Sequence, residues 1–345
     1  MSAPTHGQPL AIGRTGLVTS VGLSAPAACA AIRAKLTNPS ETRFIDSHGE
    51  WIMAHQVPLD APWRGRTKLV KMAALAVDEV LADLPQAAWA GVPLLLCVAE
   101  ADRPGRLDGL DDRLFTELQA ELDTRFHPAS VVVAHGRVAV AVALLKARAL
   151  VWEGGFEQVL IAATDSLLSW PTLSHYERED RLLTPTNSNG FMPGEGAGAL
   201  LVRRPAEGAE LVVSGLGFGV EKAHLTSDEP LRADGLSAAI KAALAEAGVA
   251  MHDMDFRITD LSGEQFYFKE AALALSRTLR QRKEEFDLWH PAECTGEPGA
   301  VAGVSILALA DAACRKRYTK GPAIVAHMGN DAGQRAALTL HWRGR

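Results

Sequence analysis

The run Gly190-Phe191-Met192-Pro193-Gly194-Glu195-Gly196-Ala197-Gly198-Ala199-Leu200-Leu201-Val202 decides the fold, because it leads a chain of small residues into an apolar strand. Gly194, Gly196 and Gly198 carry no Cβ, so the backbone here passes close to its neighbours. Since the glycines precede a strand instead of opening a helix, the order disfavours a nucleotide-binding loop. Outward from it, short β-branched or apolar runs read as strands over Leu10 to Val18, Leu94 to Val98, Val131 to Ala134, Val159 to Ala163, Ala197 to Val202, Leu211 to Leu216, Ile324 to Ala326 and Ala336 to Leu340. Helical stretches lie between them, over Thr67 to Asp83, Val138 to Trp152, Leu236 to Ala247 with Gly248 as its C′ residue, and Ala300 to Lys316. The alternation predicts an α/β protein with buried strands. The helices Val138 to Trp152 and Ala300 to Lys316 are apolar nearly all round and are expected to be buried, one in each half of the chain. Arg203 to Glu210 reads as a seam, and Leu168 to Met192 as a long loop without a period.

With 345 residues, 48% of them hydrophobic and 22% charged, the chain is an ordinary globular one, which excludes disordered, collagenous and coiled-coil readings. The balance of 35 Lys+Arg against 41 Asp+Glu leaves a net charge of −6 with no long basic block, so nucleic acid and anionic membranes are not expected partners. The longest apolar run, Val138 to Leu145, is far short of the roughly 20 residues of a membrane span. MSAPTHGQPL has no basic segment followed by an apolar one, and a cytoplasmic protein is expected. Cys29, Cys97, Cys294 and Cys314 lie far apart without CxxC spacing, which fits reduced thiols and predicts neither a metal site nor a disulfide frame. No cofactor is expected.

The Gly190 to Val202 run resembles the DGFxxGEGAGxLVLE signature of the β-ketoacyl synthases, condensing enzymes of the thiolase fold. Further segments follow in the order of that family. Thr15 to Gly22 resembles its amino-terminal TGxGxxSxxG strand and turn, and Gly155 to Ser166 the strand after the central helix. Asp234 to Val249 is similar to the AIxxALxxAGV helix, Gly296 to Gly303 to the GHTxGAAG turn and second buried helix, and Met328 to Leu340 to the FGFGGxNAALVL loop and strand. The resemblance implies two similar α/β halves, 1–205 and 206–345, integrated in a five-layered αβαβα thiolase-like unit, usually a homodimer.

Members of the family use a Cys nucleophile and two His residues. Counting back from Gly154 and Gly155 puts the Cys position on Arg137 or Val138, and no cysteine lies between Cys97 and Cys294. The first His position falls on Ser262 of Asp260-Leu261-Ser262-Gly263-Glu264, the second on Glu297, and the Lys five residues earlier on Ala292. Asn330 and Asp331 replace aromatic and glycine residues of the gate loop, and the chain is short between Cys97 and Val131. Glu195 has a family counterpart and reads as structural. Losing a nucleophile costs on the order of 10⁴ to 10⁶ in rate, so the expected activity is not condensation. The resemblance implies a catalytically inactive protein acting as an adaptor or chaperone, with a type VI secretion effector or an active ketosynthase as partner.

Two residues support a rival reading, an acyltransferase or condensing enzyme with an altered site. Cys294, three residues before Glu297, is a relocated nucleophile in that reading and a packed small thiol otherwise. His135, at the start of the first buried helix, is an acid-base group or a local hydrogen-bonding one. Arg137 faces the positive end of the helix dipole and either pairs with an acid such as Glu297 or is solvated while Val138 packs in the core. The charged clusters Asp108 to Arg113, Glu177 to Arg181 and Arg280 to Glu285 read as solvated faces or docking surfaces. Asp165-Ser166 lacks the frame of a hydrolase elbow.

Overall fold

The computed structural model describes residues 7–344; the opening residues 1–6, part of the segment read for a targeting signal, lie outside them. Twelve strands are formed among the described residues: β1 Leu10–Val18, β2 Ser40–Ile45, β3 Trp51–Ala54, β4 Leu94–Val98, β5 Val131–Ala134, β6 Gln158–Ser166, β7 Glu195–Arg203, β8 Glu210–Val220, β9 Phe256–Thr259, β10 Leu288–Trp289, β11 Ala323–Gly329 and β12 Gln334–Arg343. Apart from the β2–β3 hairpin they form one sheet, ordered β10-β9-β11-β12-β8-β1-β7-β6-β4-β5. Its two ends repeat one plan. In β5-β4-β6-β7-β1 the first three strands are parallel and the last two alternate antiparallel, and β10-β9-β11-β12-β8 does the same. The sets join where β1 meets β8 over Leu10 to Ile12.

Each set packs one face on a shared middle layer, the helices Ala139–Trp152 and Ala302–Arg315, within one large apolar core. The opposite face of the first set is covered by the helices Gly65–Leu81 and Arg113–Glu121, that of the second by Asp234–Ala247 and Gln265–Thr278. The result is the five-layered αβαβα arrangement of two similar halves. The loop between β7 and β8 connects them in sequence.

The glycines of β7 are used for close approach. A Cβ on Gly198 would lie 2.5 Å from Val304 Cγ1 on the second central helix, and Gly194 and Gly196 back onto the carbonyls of Thr295 and Val18. Ala302–Arg315 buries twelve of its fourteen residues, as its composition predicts. Ala139–Trp152 buries eight of fourteen, because Val142 and Ala149 are only partly covered and Leu145 is 45% exposed. Leu145 is thus left exposed beside the half-buried Val142 and Ala149, an apolar stripe only partly covered among the described residues.

The stretch Leu168 to Met192 is not wholly loop, since Trp170–Arg178 is a helix capped by Ser169, whose Oγ accepts from the Thr172 N–H at 3.3 Å. The shortened stretch after Cys97 holds Arg113–Glu121, tied to the outer helix by Arg66, which donates to both oxygens of Glu117 at 2.6 and 2.7 Å. No helix among the described residues is long and apolar enough to cross a membrane.

Candidate functional site

The two central helices begin side by side, each with a single 3₁₀ turn, Gly136–Val138 and Gly299–Val301. Gly136 and Gly299 adopt φ of +53° and +57°, and a side chain on either would run into an acid, Glu100 at the first and Asp165 at the second. Asp165 accepts from the Ala300 N–H at 2.8 Å, an anion at the positive end of a helix. Arg103 grips it with two bonds of 2.6 and 2.7 Å.

Opposite this pair stands Arg137, 9% exposed. Its guanidinium donates to Asp331 and to the Tyr267 hydroxyl, both at 2.8 Å, and to Glu297 at 3.2 Å, with Asp260 at 4.0 Å. The cation also lies over the Tyr267 ring, 4.6 Å from its centroid. Tyr267 donates in turn to Asp331 at 2.5 Å. A second guanidinium, Arg181, donates to Glu264 at 2.7 and 2.9 Å and to Asp331 at 2.7 Å, and packs over Tyr176 and Phe191. What remains between these groups is a cavity of about 20 Å³, room for a single water and not for an acyl chain.

Burial and charge act against each other here. Burial opposes ionisation of Asp331, yet Arg137 and Arg181 hold its carboxyl well below the ordinary range. For Glu297 burial wins over Arg137, and its carboxyl is pushed up to about 7. Burial likewise raises Glu100 and Asp260 against the pull of Arg103 and Arg137. Arg137 itself is held charged against burial by Tyr267 and the surrounding acids.

The structure brings Arg137, Glu297 and Asp331 together, with Ser262 beside Glu297. Arg137 is not solvated; its side chain enters the cluster while Val138 packs in the core. Asn330 shapes the loop beneath, its side chain bonded to Gln334 at 2.9 Å on both sides. His135 is half-buried at the margin, its Nδ1 3.3 Å from Gln334 Oε1. Cys294 is elsewhere: its thiol points to the Ile32 carbonyl in the core, and burial raises its pKa, which is wrong for a nucleophile. Glu195 is buried and accepts from Lys68, from the Val57 N–H at 2.9 Å and from Ser166 at 2.9 Å.

Sequence reading misses Arg181, Glu264, Tyr267 and Arg103. The charged cluster Glu177 to Arg181 reads in sequence as a solvated face or a docking surface, whereas Arg181 enters the buried ion network. Its partners lie 83 and 150 residues away, so no spacing announces them.

No family model matches the chain and no curated protein matches it. Solved structures do. A chain of the ketosynthase in complex with its chain length factor from Xenorhabdus doucetiae superposes with a TM-score of 0.77 at 14% identity, covering 99% of this chain and 100% of that one. The ishigamide ketosynthase/chain length factor gives 0.77 at 19% identity over 98% and 100%. A β-ketoacyl synthase from Burkholderia phymatum gives 0.73 at 14% identity over 97% and 99%. At such identities the likeness is one of fold, and over essentially its whole length the chain has the thiolase-like fold of the ketosynthases.

Proposed function

We propose that the chain is a non-catalytic ketosynthase-fold protein, built of halves dividing near residue 205, that works in the cytoplasm by binding another protein as an adaptor or chaperone. The observation that carries this reading is the filled site. Where the resemblance expects a thiol facing an acyl tunnel, the Arg137–Asp331–Arg181–Glu264 network leaves about 20 Å³. A covalent acyl intermediate needs a nucleophile and space for its chain, and a cluster without a thiol and with so little room supports the non-catalytic reading.

A protein-binding face supports the second half of the proposal. β5 ends the sheet, and among the described residues no strand pairs with its outer edge. Val131 on that edge is 42% exposed, and the helix packed on β5 adds the exposed Leu145 and the half-buried Val142. An open strand edge beside exposed apolar residues is a surface for another chain. The client is a secretion effector or an active ketosynthase. That several fold neighbours were solved as ketosynthases with chain length factors favours the second, a partner subunit of a ketosynthase.

Incubating the purified protein with acyl thioesters and reading its intact mass tests inactivity. No adduct is expected. An adduct abolished by Cys294→Ala would install the rival acyltransferase reading.

A further inference from the structure

A cleft of about 500 Å³ opens beside the start of β7, between the β2–β3 hairpin, the first turn of Gly65–Leu81 and the start of Trp170–Arg178. Its volume is that of a small-molecule site. Phe44, Trp63 and Trp170 contribute aromatic surface, and the two tryptophans stay 38% and 49% exposed. Exposed tryptophans lining one concavity are costly to leave in water and suited to a flat ring.

The charges of the cleft share one sign. Buried Glu195 is neutralised by Lys68. Arg64 has no ion-pair or hydrogen-bond partner for its side chain among the described residues, and Arg43 only rests over the Phe44 ring, 4.8 Å from its centroid. This contrasts with Arg66 and Lys71 on the same helix, which are paired with Glu117 and Glu121. Two unpaired guanidiniums are matched by a dianion, and the guanidinium fork fits phosphate oxygens.

We infer that this cleft binds an aromatic phosphate monoester, the chemistry of a mononucleotide, with Arg43 and Arg64 on the phosphate and Trp63, Trp170 and Phe44 against the ring. The inference is separate from the protein-binding reading, since none of these residues belongs to the ion network or to the β5 face.

AMP titrated into the full chain, followed by tryptophan fluorescence and calorimetry, tests it, with adenosine and inorganic phosphate titrated separately. Saturable binding of AMP is expected, with each fragment weaker by about tenfold or more, the scale of losing one charge-assisted bond or a stacking face. Arg64→Ala, exposed and unpaired, and Trp170→Ala, whose ring is half exposed and packs on Phe44, each weaken AMP by about tenfold, with thermal midpoints read beside the titrations, whereas Arg280→Ala outside the cleft does not. The proposal is overturned by absence of saturable AMP binding, by phosphate or adenosine binding as tightly as AMP, or by both cleft variants retaining the affinity of the parent with unchanged thermal midpoints.

Discussion

Arg137 places a cation at the positive end of a helix, a position that costs about 0.3–1 kcal/mol when exposed and more when buried. It is tolerated because Asp331, Glu297 and the Tyr267 hydroxyl converge on it. Such a network is strongly coupled: removing one partner leaves a buried charge uncompensated, while replacing a pair by apolar groups is nearly neutral. Arg181→Met is therefore expected to lower stability by about 3–5 kcal/mol in urea unfolding, and Arg181→Met with Glu264→Leu to recover most of it. A single variant as stable as the parent would show that the network is not formed. The acids also set a pH signature. Asp331, held low, contributes stability that is full above the ordinary carboxylate range and is lost as the pH falls through its depressed folded value. Glu297 acts in the opposite sense. With its folded value raised from 4.5 to about 7, the unfolded chain releases its proton first. Stability then falls by on the order of 3 kcal/mol as the pH rises from about 4.5 to 7. Glu297→Gln should remove that slope, and an unchanged slope in the variant would contradict the assignment.

At the scale of elements, β7 and the second central helix touch backbone to side chain, and Gly198 makes this possible. Gly198→Ala brings its Cβ to 2.5 Å from Val304 Cγ1 and is expected to cost about 1–3 kcal/mol, part of which Val304→Ala restores. Thermal midpoints of the two single variants and the double would check it. Elements with strong β-branched or all-round apolar composition are legible in sequence: β1, β4 and β5 have the expected bounds, and Gly248 closes its helix at φ +68°. The hairpin β2–β3, the two-residue β10 and the helices Ala25–Arg33 and Arg113–Glu121 are short or polar, and their pattern does not separate them from loop. Trp170–Arg178 is a different case, because Ser169 followed by Pro171 is a helix-start signal that periodicity alone overlooks.

For the whole molecule, the repeat of one strand plan on both sides of β1–β8 explains why the site sits where it does, since both central helices begin at the same end of the core. Half of the site is legible for that reason: Arg137 lies in the opening turn of the first central helix and Glu297 two residues before that of the second, so residues of opposite charge type meet where the helices begin. The other half comes from distant loops whose meeting only the fold dictates, Arg181 with Glu264 and Asp331. Among the described residues the same architecture leaves β5 as an open edge beside the exposed Leu145 and the half-buried Val142.

The most direct measurement is a quantitative affinity purification of the tagged protein from its host beside its Val131→Lys variant, with retained proteins measured by mass spectrometry. A charge on the exposed edge changes fold stability by no more than about 0.5 kcal/mol, so lost binding reports the surface and not unfolding. One protein retained near one-to-one by the parent and lost from the variant is the predicted result. No stoichiometric protein on the parent, together with an acyl adduct on its intact mass, would contradict the account.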